Sequence, residues 1–185
     1  GRSTEVGVGF NRTTGGINIR GLGDDRVLTS IDGIKIPFLL DTSRGSNGGA
    51  NSFDFNALSS IDVVRGADSS RGGSSALGGA FVLHTLEPED LITPGSTWGG
   101  IFKFGYNGDD RSVGGSAAVA KRIDNTAVLF EGGYTRGHEL ENNGDVGGYS
   151  TKRTEANPAD YNQRSALFKI RQYTDIGTFG ITAEH

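Results

Sequence analysis

The sequence contains no cysteine in its 185 residues. Neither a disulfide framework nor a thiolate metal site can therefore be built from it. No run of about 20 apolar residues occurs, which excludes a membrane-spanning helix. It does not exclude spanning strands, because a β-barrel hides its lipid face in alternation. Positive charge is not in excess: the net charge is −4, where a nucleic-acid partner would favour a basic surface. The three histidines, His84, His138 and His185, are scattered and lack metal-ligand spacing, so no metal site is expected. The run Gly73-Ser74-Ser75-Ala76-Leu77-Gly78-Gly79 has no Lys-Ser/Thr after its last glycine and cannot be a phosphate loop. No G-x-S-x-G elbow is present. The acidic pairs Asp24-Asp25 and Asp109-Asp110 sit beside glycine and read as turns, since a calcium loop needs alternating ligands over a longer span. Nothing here supports catalysis, and no catalytic residue is assigned.

What is present is glycine, 31 residues of it, against an average usage of about 7%. It is spread without a collagen period. The chain is organised around Leu58–Thr85, LSSIDVVRGADSSRGGSSALGGAFVLHT. An apolar run Ile61–Val64 ends at Arg65-Gly66. A Ser/Gly segment follows, and Gly78-Gly79 opens a second apolar run, Ala80–Leu86. β-Branched residues fit a pleat and glycine fits the turn between, so the stretch predicts strand, turn, strand. Upstream, Gly7–Phe10, Ile17–Arg20 and Arg26–Ile31 are strand candidates. Asp32-Gly33 is a hairpin turn, with Ile34–Ile36 pairing back. Phe55–Ser60 predicts one helical turn, and a second is expected within Ser69–Leu77. Asp41–Asn51 is a polar loop. Glu87–Asp90 ends the Ala80 strand, Thr93–Ser96 is a linker, and the domain boundary is expected after Ile92.

Beyond Thr97 the texture changes. Phe102, Phe104 and Tyr106 share one face of a strand, with Lys103 and Gly105 on the other. Val128, Phe130 and Tyr134 oppose Glu131, Gly133 and Thr135. Ala166, Phe168 and Ile170 oppose Ser165, Lys169 and Arg171. The expected strands are about 98–106, 112–122, 126–137 and 164–172, then a fifth. Short connections lie at 107–111, 123–125 and 173–175, and a long polar one at 138–162. A soluble sandwich gives the same alternation, so the pattern by itself leaves a soluble β-rich binding or adhesin module open.

Three segments resemble a known family. They are Ile17-Asn18-Ile19-Arg20-Gly21, then Arg26–Gly33, then Ile61-x-x-Val64-Arg65-Gly66 with Gly78-Gly79 and Thr85. In that order they resemble the plug domain of TonB-dependent outer-membrane transporters. Ala67 stands where the family usually has proline, and Leu77 where it often has tyrosine. The resemblance implies a mixed α/β plug over residues 1–92, its N-terminal part missing. Residues 93–185 would then be the first five or so antiparallel strands of a transmembrane barrel that closes with about 22. It implies binding and gating rather than catalysis, in the outer membrane of a Gram-negative bacterium, as a monomer contacting outer-membrane lipid. The TonB complex would engage a segment expected before Gly1. Residues 72–92 are most similar to the haem and haemoglobin receptor branch, which makes haem, free or from a carrier protein, the expected cargo and a siderophore or other chelate the alternative. No covalent cofactor is implied. A haem receptor normally offers His or Tyr as axial ligand, and the loop Asp41–Asp54 has neither. The implied ligand contacts are Arg44, Asn47, Asn51 and Phe53 in the plug's apical loop, with His138 and Tyr149 in an outer barrel loop. Arg20 and Arg65 are the implied plug–barrel lock, their glutamate partners expected beyond this fragment.

Overall fold

The computed structural model describes residues 2–3, 16–17, 19, 26–36, 40–41, 46–47, 54–66, 77–139, 142–148, 151–156, 158 and 160–185. The chain divides into two units, Gly1–Leu86 and Glu87–His185.

In the first unit β1 (Arg2–Ser3) pairs antiparallel with β2 (Gly16–Ile17). Of the strand expected over Ile17–Arg20, Ile17 pairs in β2 and Ile19 is a buried single bridge, while Asn18 and Arg20 lie outside the described residues. β5 (Leu40–Asp41) pairs with β6 (Ser46–Asn47). The main sheet has β3 (Val27–Ile31), β4 (Ile34–Ile36), β7 (Leu58–Arg65) and β8 (Gly79–Thr85) in the order β4-β3-β8-β7. β3 and β8 run parallel; the other two pairings are antiparallel. The strand expected over Ile61–Val64 is longer because Ser60 pairs with His84 and Leu58 with Thr85, while Ser59, the bulge residue between them, donates its hydroxyl to the His84 and Thr85 carbonyls. The helical turn is confined to Phe55–Ala57, a 3-10 turn in which Asp54 Oδ1 accepts from the Asn56 N–H at 2.8 Å. The strand expected over Gly7–Phe10 and the turn within Ser69–Leu77, apart from Leu77 itself, lie outside the described residues.

Among the described residues, two apolar clusters hold this sheet. Leu28 and Ala80 pack with Val64 and Val82. Leu58 and Leu83 pack with Ile31, Ile36 and Phe81. Asp32 turns the β3–β4 hairpin with φ 46°. Its carboxylate then accepts the Thr85 N–H at 2.9 Å and the Thr85 hydroxyl. Gly79 has φ +132°, and a Cβ there would overlap the Val64 carbonyl oxygen. Only glycine lets β8 start this close to β7.

The second unit begins with a short helix, α1 (Pro88–Leu91). The sequence suggested only a strand end here. The reason for a helix is local. Proline at the first helical position fixes φ, and the Glu87 N–H donates to Asp90 Oδ2 at 2.7 Å, half of a capping box. A five-stranded antiparallel meander follows: β9 (Trp98–Asn107), β10 (Ser112–Ile123), β11 (Thr126–Gly137), β12 (Tyr161–Thr174) and β13 (Gly177–Glu184). Neighbours in sequence are neighbours in space, and β9 and β13 are the sheet's edges. Two-residue turns, Asp124-Asn125 and Asp175-Ile176, join strands at one end. The residues 108–111 and 138–160 connect them at the other.

Candidate functional site

The meander inverts the rule for a water-soluble sheet. Successive side chains alternate faces, so the register fixes which residues share a side. On one side stand Trp98, Phe102, Phe104 and Tyr106 of β9; Val113, Val119 and Ile123 of β10; Phe130 and Tyr134 of β11; Phe168 of β12; and Phe179 and Ile181 of β13. All are exposed, with Phe102 at 73% and Phe104 at 70%. The other side carries Ser116, Glu131 and Lys169 among Ala118, Ala120, Ala127, Leu129 and Leu167; Glu131 is 1% exposed and Lys169 0%. Apolar groups outside and charges inside cost free energy in water and lower it where the outside is hydrocarbon. The strands hold 10 to 14 residues where they span the whole band, against the roughly 9–11 that a tilted transmembrane strand needs. Trp98 and Lys121 face each other near the short-turn end of the exposed side, and Tyr106 and Tyr134 lie toward the other. Amphipathic aromatics at both margins are what two water–lipid interfaces favour.

On the covered side, a group of ionic contacts fastens α1 to the strands. Glu87 Oε1 accepts from Lys169 Nζ at 2.6 Å and from Arg171 Nη2 at 2.7 Å, while its Oε2 accepts from Arg171 Nε at 2.8 Å. The Arg171 contact is therefore bidentate, the stronger geometry for this pair. Burial pushes the Glu87 carboxyl up, but the hydrogen bonds from Arg171 and Lys169 and their charges outweigh it and hold it below the usual carboxylate range. Two residues on, Glu89 Oε1 accepts from Arg122 Nη2 at 3.0 Å and from the Tyr173 hydroxyl. Arg122 also lies over the Tyr173 ring. The backbone comes so close that a Cβ at Gly99 would overlap the Leu91 carbonyl oxygen. α1 is thus a strap on the strand wall.

At the end away from the two-residue turns, Asp110 is nearly fully buried. Its Oδ1 accepts from the Ser112 N–H at 3.1 Å, and its Oδ2 from the Tyr161 hydroxyl at 3.2 Å. His138 donates its backbone N–H to the Asp110 carbonyl, and its Nδ1 lies 2.7 Å from Asp160 Oδ1. The residues beyond it have their own frame. Thr154 Oγ1 accepts from the Asp145 and Val146 N–H groups. Arg153 donates to the Gly148, Glu155 and Ala156 carbonyls at 2.7 to 3.0 Å.

Of the ligand contacts expected from the sequence, His138 stands at the base of this frame, and Asn47 lies in β6. Arg44, Asn51, Phe53 and Tyr149 lie outside the described residues, as does Arg20 of the expected lock. Arg65 is exposed at the end of β7. His84 lies within β8, 3.2 Å from Asp62. The strap residues Glu87, Glu89, Lys169 and Arg171 were not singled out from the sequence. A signal existed: Glu87-Pro88-Glu89-Asp90, with proline at the first helical position and acidic residues in the first turn, is a helix-start pattern, and Lys169 and Arg171 share a strand face with Leu167.

Comparison with known proteins agrees with this geometry. Residues 3–80 match the family described as the TonB-dependent receptor plug domain. Lactoferrin-binding protein A of Neisseria meningitidis serogroup B is 33% identical over 144 residues, covering 74% of this chain and 15% of that protein. The hemoglobin and hemoglobin-haptoglobin-binding protein A of Haemophilus influenzae is 31% identical over 187 residues, covering 91% of this chain and 17% of that protein. The chain thus spans less than a fifth of the length of these relatives. The structure of the FrpB iron transporter from Neisseria meningitidis superposes with a TM-score of 0.70 at 24% identity, over 94% of this chain and 26% of that one.

Proposed function

The chain belongs to the TonB-dependent receptors, and from that premise we propose that it is the plug and the first wall strands of an outer-membrane importer of an iron source. The observation that carries the membrane reading is the inverted meander, with aromatics exposed on one side and Lys169 and Glu131 buried on the other. The plug is proposed to extend to about Ile92 and the wall to run onward from residue 93. Closure would come from further strands of the whole protein, to about 22 in all. Ligand would bind at the end bearing the long connection. Contacts there would come from Arg44, Asn47, Asn51 and Phe53 in the plug, with His138 and Tyr149 from the connection. Arg20 and Arg65 are proposed as cations pairing the plug with carboxylates of the wall, a geometry that is specific and costly to break. Opening would follow engagement of TonB, by binding and gating rather than by chemistry.

The proposed cargo is haem, directly or from a haem protein. Support comes from the haemoglobin-binding relative, which matches along 91% of this chain, and from the 72–92 segment. Receptors whose names specify lactoferrin and transferrin match it too, so iron released from a carrier protein is the second reading. Growth of a deletion strain on haem as sole iron source tests the choice. Lost growth there supports haem. Unimpaired growth on haem, with lost growth on an iron-loaded carrier protein or siderophore, moves the protein to the other reading.

A further inference from the structure

The arginines of the strand unit fall into two sets. Arg111, Arg122, Arg153 and Arg171 each face a carboxylate, Glu139, Glu89, Glu155 and Glu87 in turn. Arg136 and Arg164 face none among the described residues, and both are exposed. They stand together. Arg136 is opposite Asn162 and Tyr134 is opposite Arg164, which makes the two arginines diagonal neighbours on the aromatic face, within reach of one group. Arg164 also lies over the Tyr134 ring, 6.0 Å from its centroid. Beside them toward the middle of the sheet, the exposed face is small. Gly115 neighbours Tyr134, and Ala117, Gly132 and Ala166 form the next row. Phe102 and Phe104 bound this shallow furrow on one side, and Phe130 and Phe168 close its far end.

We propose that Arg136 and Arg164, with the furrow Gly115-Ala117-Gly132-Ala166, bind a membrane lipid with a phosphate-bearing headgroup at the long-loop margin of the wall. The inference rests on the membrane reading above. Guanidinium groups are suited to phosphate, with paired parallel donors. A cation left without a carboxylate at the edge of an apolar band is well placed for an anion that arrives with the bilayer. The furrow decides between a lipid and free phosphate: an acyl chain fills it, and inorganic phosphate leaves it empty. Lys121, the other cation of this face, stands alone near the opposite margin, where its stem can snorkel to water.

The test uses the full-length receptor purified in detergent and titrated with phosphatidic acid, its diacylglycerol analogue or inorganic phosphate, read by native mass spectrometry. Wild type is expected to retain phosphatidic acid over diacylglycerol. The double variant R136Q/R164Q should bind it roughly tenfold more weakly. Ala166→Phe, which fills the furrow and leaves both arginines, should weaken phosphatidic acid and not inorganic phosphate. Equal retention by wild type and the double variant would overturn the proposal, as would inorganic phosphate displacing the lipid at equal concentration. Membrane fractionation separates the two readings: a receptor that fractionates with water-soluble proteins refutes the wall itself, whereas a membrane-embedded receptor without lipid preference refutes only this site.

Discussion

At the scale of single residues, two kinds of position carry the account. Gly79 is one. Its φ of +132° and the proximity of the Val64 carbonyl leave no room for a side chain. Gly79→Ala should cost about 2 kcal/mol or more of plug stability, read as faster cleavage of the plug in limited proteolysis of the folded receptor. Glu87 is the other. Lys169 is fully covered while Glu87 is partly exposed, so the cost of unpairing them is below that of a fully buried pair. Glu87→Gln should lower stability by about 2 kcal/mol, and Glu89→Gln, whose partner Arg122 is more exposed, by less than about 1 kcal/mol. Denaturant melts of the two variants check the order. The pH dependence has a definite sign. The folded-state pKa of Glu87 is lowered, so its contribution is present above the usual carboxylate range and is lost as pH falls through the depressed value. Melts of wild type from neutral pH into that acidic range should show a loss that Glu87→Gln blunts.

At the scale of elements, the strands were legible because period-two alternation survives in the sequence: Phe102-x-Phe104-x-Tyr106 marks a pleat whatever lies around it. Asp32-Gly33 marked its hairpin for the same local reason. The helix α1 was missed because four residues are too few for periodicity, and its proline also reads as a terminator. What fastens it was less legible still, since Glu87 and Lys169 are joined only by the fold. Likewise nothing local shows that Thr85 reaches the Asp32 carboxylate. Loop length and strand parity yield a further prediction. The two-residue turns share one end and the 138–160 connection occupies the other, and barrels of this kind carry longer loops outside the cell. An epitope tag inserted near Asn143 should be reached by antibody on intact cells. Labelling only after the outer membrane is breached would reverse the orientation.

At the scale of the whole molecule, one face of the five-stranded sheet is apolar and exposed, and neither edge strand has a further neighbour among the described residues. Such a sheet recruits other sheets when made alone. Expression of Thr97–His185 by itself should therefore give aggregate, and a soluble, cooperatively folding monomer would contradict the wall reading. The central claim is that the aromatic face meets hydrocarbon. These residues contain no cysteine, so single cysteines for spin labelling can be placed one at a time from Gly99 to Tyr106 and from Ala127 to Arg136, with any cysteine elsewhere in the full-length receptor replaced. In membranes, the account predicts that labels at 102, 104, 128, 130 and 134 are relaxed by oxygen and shielded from a water-soluble nickel reagent. Labels at 103, 129, 131 and 133 should not show that oxygen signature, giving a period of two along each strand. Equal nickel access on both faces, or the oxygen signature on the Lys103 and Glu131 side, would contradict it.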